Sequence, residues 1–126
     1  MSTVKHDLTP DNAVFTIPSS AGLVFTTTHY ESDGTTALNL STYDYELELK
    51  AVKSQAAEDF ALTKTNARIV VSGGDSNILT HTILQSEITT DSLLGQYHFD
   101  LVLTPASGEK FTALEGTINI TQGITV

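Results

Sequence analysis

Tyr43-Asp44-Tyr45-Glu46-Leu47-Glu48-Leu49-Lys50-Ala51 is the stretch whose reading decides the fold. Tyr43, Tyr45, Leu47, Leu49 and Ala51 alternate with Asp44, Glu46, Glu48 and Lys50. Successive side chains on a strand point to opposite faces, so this is a half-buried strand with an acidic outer face. The same period returns in Tyr97, Phe99, Leu101 and Leu103, interleaved with His98, Asp100, Val102 and Thr104. Shorter strand candidates are Val14–Ile17, Leu23–Tyr30, Arg68–Ser72, Ile78–Leu84, Lys110–Leu114 and Thr117–Thr121. Threonine fills roughly a sixth of the chain, and its β-branch suits a pleated, half-wet surface. Seven or eight short strands in one domain predict an all-β, antiparallel β-sandwich.

The turns fall between these segments. Ser32-Asp33-Gly34 lies between Leu23–Tyr30 and Leu38–Leu40, and Asp-Gly takes the positive φ angles of a tight hairpin readily. Gly73-Gly74-Asp75-Ser76-Asn77 and Pro105-Ala106-Ser107-Gly108 predict two further hairpins. Gly95 closes the turn after Ser86–Leu94, a stretch that reads as a single helical turn bridging two sheets. Ser54–Phe60 is the other short-helix candidate, with Ser54 as its cap, and could equally be a loop. Residues 1–12 read as an N-terminal arm and residues 13–126 as the single sandwich domain. The arm and the strand after it could pack on a neighbouring subunit or form the first edge strand of the same sandwich.

With 126 residues the chain is one domain, long enough to bury a core without staples. It has no cysteine, which removes disulfides, thiolate metal sites and thiol nucleophiles together. Fifteen acidic residues against six basic ones give a net charge of −9, a field that repels phosphate backbones and anionic membranes. Nucleic acid and membrane are therefore poor partners. No apolar run approaches a bilayer span, and Met-Ser-Thr-Val-Lys-His-Asp has no apolar core of a secretion signal.

Chemistry is sparse. His6, His29, His81 and His98 have no Gly-x-Ser-x-Gly elbow beside them, so a hydroxyl nucleophile has little support. Asp44, Glu46 and Glu48 project from one strand face at intervals of about 6.7 Å, a spacing open to a glycosidase carboxylate pair. A chain with no tryptophan lacks the usual sugar platform, however, and a solvated acidic face accounts for the same residues. Asp33, Asp75 and Asp100 could add oxygen ligands for calcium, but the loops lack the Asp-x-Asp-x-Asp-Gly spacing. The histidines lack His-x₃-His pairing. No Gly-rich loop precedes a helix, and Lys64 and Arg68 read as ordinary answers to the acidic surface. The expectation is a chain with no catalytic residue, metal or cofactor.

The order of the motifs carries more than any one of them. Gly22-Leu23-Val24-Phe25-Thr26-Thr27-Thr28 is followed by Asp33-Gly34-Thr35-Thr36-Ala37-Leu38-Asn39-Leu40-Ser41. The C-terminal half gives Thr90-Asp91-Ser92-Leu93-Leu94-Gly95-Gln96-Tyr97-His98-Phe99-Asp100-Leu101, Leu114-Glu115-Gly116-Thr117-Ile118 and Gly123-Ile124-Thr125. From about residue 13 to 126 this resembles small immunoglobulin-like virion proteins of tailed bacteriophages and prophages. It is also similar to the N-terminal domain of siphophage upper baseplate proteins. Ser54–Thr65 and the arm have no counterpart in that pattern.

The resemblance implies an immunoglobulin-like fold and a structural protein of a phage particle, in tail, baseplate, neck or on the capsid. It would be made in the host cytoplasm and assemble in symmetric copies with itself and other virion proteins, through a strand edge or the arm. Phe15, Ile17 and Tyr30 are the candidate contact residues, with ordinary core packing as the alternative for each. The rival reading is an adhesive or carbohydrate-binding sandwich that uses its end loops, with or without calcium.

Overall fold

A computed structural model of the chain describes residues 2–8, 13–31, 33–90 and 93–122. Nine strands and one helix follow one another: β1 (Ser2–Leu8), β2 (Ala13–Pro18), β3 (Ala21–Thr28), β4 (Asp44–Lys50), β5 (Phe60–Thr63), β6 (Ile69–Ser72), β7 (Ile78–Ile83), α1 (Gln85–Thr90), β8 (Gly95–Thr104) and β9 (Phe111–Thr121). They form a four-stranded sheet in the order β1-β3-β7-β6 and a five-stranded sheet in the order β2-β9-β8-β4-β5. We call these sheet A and sheet B. Pairing is antiparallel except at two edges, where β1 runs parallel to β3 and β2 parallel to β9. The orders β1-β3-β7-β6 and β9-β8-β4-β5 match the A-B-E-D and G-F-C-C′ sheets of an immunoglobulin domain, with β2 added beside β9. The all-β sandwich expected from the alternation is therefore present, and β1, parallel to its neighbour, departs from the antiparallel habit of such sheets.

The period-2 pattern does what it predicts. In β4, Tyr45, Leu47 and Leu49 are buried while Asp44, Glu46 and Glu48 face out. In β8, Tyr97, Phe99, Leu101 and Leu103 are buried in the same phase. Sheet A answers with Leu23 and Phe25 of β3, Ile69 of β6, and Leu79 and Ile83 of β7. An immunoglobulin domain commonly joins its sheets by a disulfide between its second and sixth strands. This chain joins them with aromatic rings. Phe25 on β3 lies 6.2 Å from Phe99 on β8, and Phe15 of β2 stacks obliquely on Phe25 at 4.7 Å between centroids. Such pairs add about 0.5–1.5 kcal/mol each beyond the area they bury.

Phe99 stands two residues after Tyr97, the place an immunoglobulin domain gives to its second cysteine. Tyr97 itself is buried, and its hydroxyl donates to the Leu94 carbonyl at 3.4 Å. A tyrosine at the start of this strand that bonds back to backbone a few residues upstream is the tyrosine corner of such sandwiches. Gly95 supplies the bend between the two with φ at 106°, a region closed to most side chains.

Four expectations are refined by the structure. Lys110–Leu114 and Thr117–Thr121 are one continuous strand, β9, with a bulge opposite Leu101 and Val102. Ser54–Phe60 is not a helix: it runs as turns and bends until Phe60 enters β5. The Asp33-Gly34 turn forms, with Gly34 at φ 77°, but its hairpin holds only the single bridge Tyr30↔Ala37. Lastly, Ser2–Leu8, within the region read as an arm, forms β1 beside β3 in register Ser2↔Ala21 to Leu8↔Thr27. The helix between β7 and β8 is α1, which starts where Glu87 reaches back to accept the Leu84 N–H at 2.8 Å. That is the acidic half of a capping box, closed without a serine or threonine at the cap.

Candidate interaction surfaces

Of the three candidate contact residues, Phe15 and Ile17 are 3% and 0% exposed, packed in the chain's own core. Tyr30 is exposed, at the bridge that ends β3's loop. The structure does not bring the three together on one surface. On β2 the side chains that face solvent are Val14, Thr16 and Pro18, the alternate set to those named. Two of the sheet edges, β5 and β6, are only four residues long. Short edges are a common defence against unwanted strand pairing. The longer edges, β1 and β2, both come from the N-terminal part of the chain.

The outer face of sheet B is acidic by register as well as by composition. Glu48 of β4 stands opposite Asp100 of β8, which stands opposite Glu115 of β9. Like charges directly opposite one another oppose sheet formation. Beside them, Asp44, Glu46, Glu48, Val102, Thr104 and Lys110 border a shallow cavity of about 150 Å³. Partial burial holds the Glu46 carboxyl above its ordinary range, helped by a hydrogen bond and charge from Glu48 and by charge from Glu58 and Asp44. Among the described residues no group of three His, Cys, Asp or Glu side chains is placed to hold a metal ion.

The loop acids are engaged by their own turns. Asp33 accepts the Thr35 and Thr36 backbone N–H groups at 2.9 and 2.8 Å and also the Thr36 hydroxyl. Those bonds, the Thr36 hydroxyl first, hold its carboxyl down to about 2. This is an Asx turn at work, using the oxygens that a calcium ion would need.

One polar cluster was not legible as a unit. Thr27, His29 and His81 meet inside the sandwich: the Thr27 hydroxyl lies 2.7 Å from His29 Nε2 and 2.9 Å from His81 Nε2. Thr27 and His81 are 2% and 0% exposed, and His81 stacks on Phe25 at 4.6 Å. A single hydroxyl proton can serve only one imidazole, so the other must donate. His81 Nδ1 has no partner, and an orphan acceptor costs less than an orphan N–H, which puts the His81 proton on Nε2. The chain of donors then runs from His81 through Thr27 to His29. Burial lowers His81 to about 3, with the charge of His29 adding to it, and lowers His29 to about 4. Strand parity in Thr27-Thr28-His29 and Leu79-Thr80-His81 was the available signal. It places each residue on the inner face but does not say that β3 and β7 are neighbours.

No family model and no curated protein matches the chain. Among solved structures it is similar to the N-terminal domain of phage TP901-1 ORF48, over 97% of this chain and 100% of that one. That match has a TM-score of 0.57 at 9% identity. It is also similar to the cysteine protease inhibitor EhICP2 from Entamoeba histolytica, over 94% and 96% of the two chains, with a TM-score of 0.49 at 11% identity. The extracellular domains 3–5 of Drosophila OTK match 90% of this chain and 34% of theirs, with a TM-score of 0.38 at 13% identity. What this chain and the ORF48 domain share at such identity is the fold.

Proposed function

We propose that the chain is a non-catalytic structural module of a tailed phage particle, in its tail, baseplate, neck or shell. It assembles in symmetric copies rather than turning over a substrate. The observation that carries this reading is the end-to-end likeness to a phage domain, with neither chain holding a large segment the other lacks. The interior adds support. Both sheets turn apolar side chains inward, and Thr27 and His81 of the hydroxyl–imidazole cluster are buried in that core. The particle would tolerate the acidic face of sheet B as its wetted surface, while an edge or face free of carboxylates meets the neighbour.

Immunogold labelling tests the assignment. Antibody raised against the purified chain is applied to particles from the strain that encodes it, and gold confined to one region of the particle is expected. Particles without label, from a lysate in which the free chain is abundant, would contradict the assignment.

A further inference from the structure

Asp33-Gly34 is the one Asp-Gly pair of the chain, and there is no Asn-Gly. Such a bond ages by a reaction of its own. The Gly34 amide nitrogen gives up its proton and attacks the Asp33 Cγ, whose hydroxyl leaves with that proton as water. The five-membered imide that results reopens by adding water at the Asp33 main-chain carbonyl. The product is an isoaspartyl linkage, with one extra methylene in the main chain and the old carbonyl carbon now a free carboxylate. Mass and charge are unchanged. The protonated acid is the form that reacts, because an ionised carboxylate has no hydroxyl to release. Glycine speeds the attack, having no side chain to crowd the nitrogen. The fold nevertheless calls for glycine here: Gly34 sits at φ 77°, although a Cβ would meet nothing within 4 Å.

We propose that Asp33-Gly34 is a latent isoaspartate site, closed in the folded chain by the hydrogen bonds of its own turn. Both reacting groups are engaged. Asp33 Oδ1 accepts the Thr35 and Thr36 N–H groups at 2.9 and 2.8 Å, and Oδ2 accepts the Thr36 hydroxyl. The Gly34 N–H, whose proton must leave, donates to the Glu31 carbonyl at 2.9 Å. Three donors around the carboxyl favour its ionised form, which does not react. The Thr36 hydroxyl contributes most to this. With the carboxyl brought from 3.8 to about 2, the reactive acid at neutral pH is scarcer by roughly 60-fold than in the unfolded chain. The same loop carries Tyr30, the exposed one of the three candidate contact residues. Glu31 N–H donates to the Thr36 carbonyl at 2.7 Å and Tyr30 bridges to Ala37, so an added methylene at position 33 falls inside the loop that these contacts close. The site does not depend on the assembly reading.

Ageing the full chain at neutral pH, folded in buffer and unfolded in concentrated guanidinium chloride, tests it. Isoaspartate is counted by methylation with a protein isoaspartyl methyltransferase. It is located by digestion with a protease that cuts before aspartate and not before isoaspartate. The folded wild-type chain is expected to form it at position 33 at least about tenfold more slowly than the unfolded chain. Folded Thr36→Val, which loses the hydroxyl bond, is expected to form it several-fold faster than the folded wild type, with an unchanged melting temperature. Thr36→Ser, which keeps the hydroxyl, is expected to stay near the wild-type rate. Asp75-Ser76, in the turn between β6 and β7, is the internal reference, and its rate should be the same in Thr36→Val as in the wild type. Equal rates in folded and unfolded wild type would overturn the closure. A folded Thr36→Val as slow as the wild type would overturn it equally, since the hydroxyl would then hold nothing shut. Should Thr36→Val fail to fold, the comparison of folded with unfolded wild type decides alone.

Discussion

Burial around Thr27 keeps both His29 and His81 neutral at pH 7, and the folding equilibrium records this. Their folded values, about 4 and about 3, lie below the 6.5 of an exposed imidazole. The unfolded chain therefore binds more protons between those limits. The stability these two groups allow is complete above about pH 6.5 and is lost as the pH falls below it. Glu46, raised in the fold, works in the opposite sense and gains stability as it protonates. At about pH 4.5 His81 alone lowers stability by about 3 kcal/mol. Urea midpoints should drop between about pH 7.5 and 4.5, and less so in His81→Leu. Equal drops in the two proteins would remove His81 from the account. Ala67 offers a second check at this scale, since it holds φ at 61°, where glycine is at ease and alanine is not. Ala67→Gly should raise stability by about 0.5–1 kcal/mol, read from a thermal melt, and a lowered melting temperature would contradict that backbone.

Among the elements, those with strong inside–outside contrast were readable and those held by their neighbours were not. β4 and β8 alternate aromatic or aliphatic with charged or polar residues over seven and ten positions, long enough to establish a period. β5 has only Phe60-Ala61-Leu62-Thr63, and its pairing with β4 from Glu46↔Thr63 to Leu49↔Phe60 sets it in place. β9 looked like two strands because Glu115 and Gly116 interrupt its apolar run. In register, Gly116 falls opposite Phe99, where a strand gains little from a side chain of its own. β1 has mixed charge and no alternation that composition could flag. Its partner β3 identifies it as a strand, so deletion of residues 1–12 should lower the melting temperature by leaving seven residues of β3 unpaired on that side. An unchanged melt would contradict the placement of β1. For α1, Glu87 both caps Leu84 and pairs with Arg68 at 3.0 Å. Glu87→Ala should cost about 1 kcal/mol in a denaturant titration, whereas no loss would separate the helix start from that carboxylate.

For the molecule as a whole, charge segregation is the property that the sequence hid and the topology exposes. Composition gives −9, and only the strand order shows that sheet B holds the facing carboxylates while β3, β6 and β7 hold none. Phe15 and Ile17 of β2 turn inward with sheet A across from them, the core packing that stood as their alternative, whereas Tyr30 is exposed. Raising salt from about 0.01 to 0.5 M should raise the melting temperature by screening the Glu48, Asp100, Glu115 row, and a flat response would mean the row is already neutralised. The proposed assembly in symmetric copies is the centre of the account, and native mass spectrometry of the full chain over rising concentration tests it most directly. A closed multimer of defined copy number, with monomer as the minor species at high concentration, is the expected spectrum. A monomer alone at every concentration would contradict it.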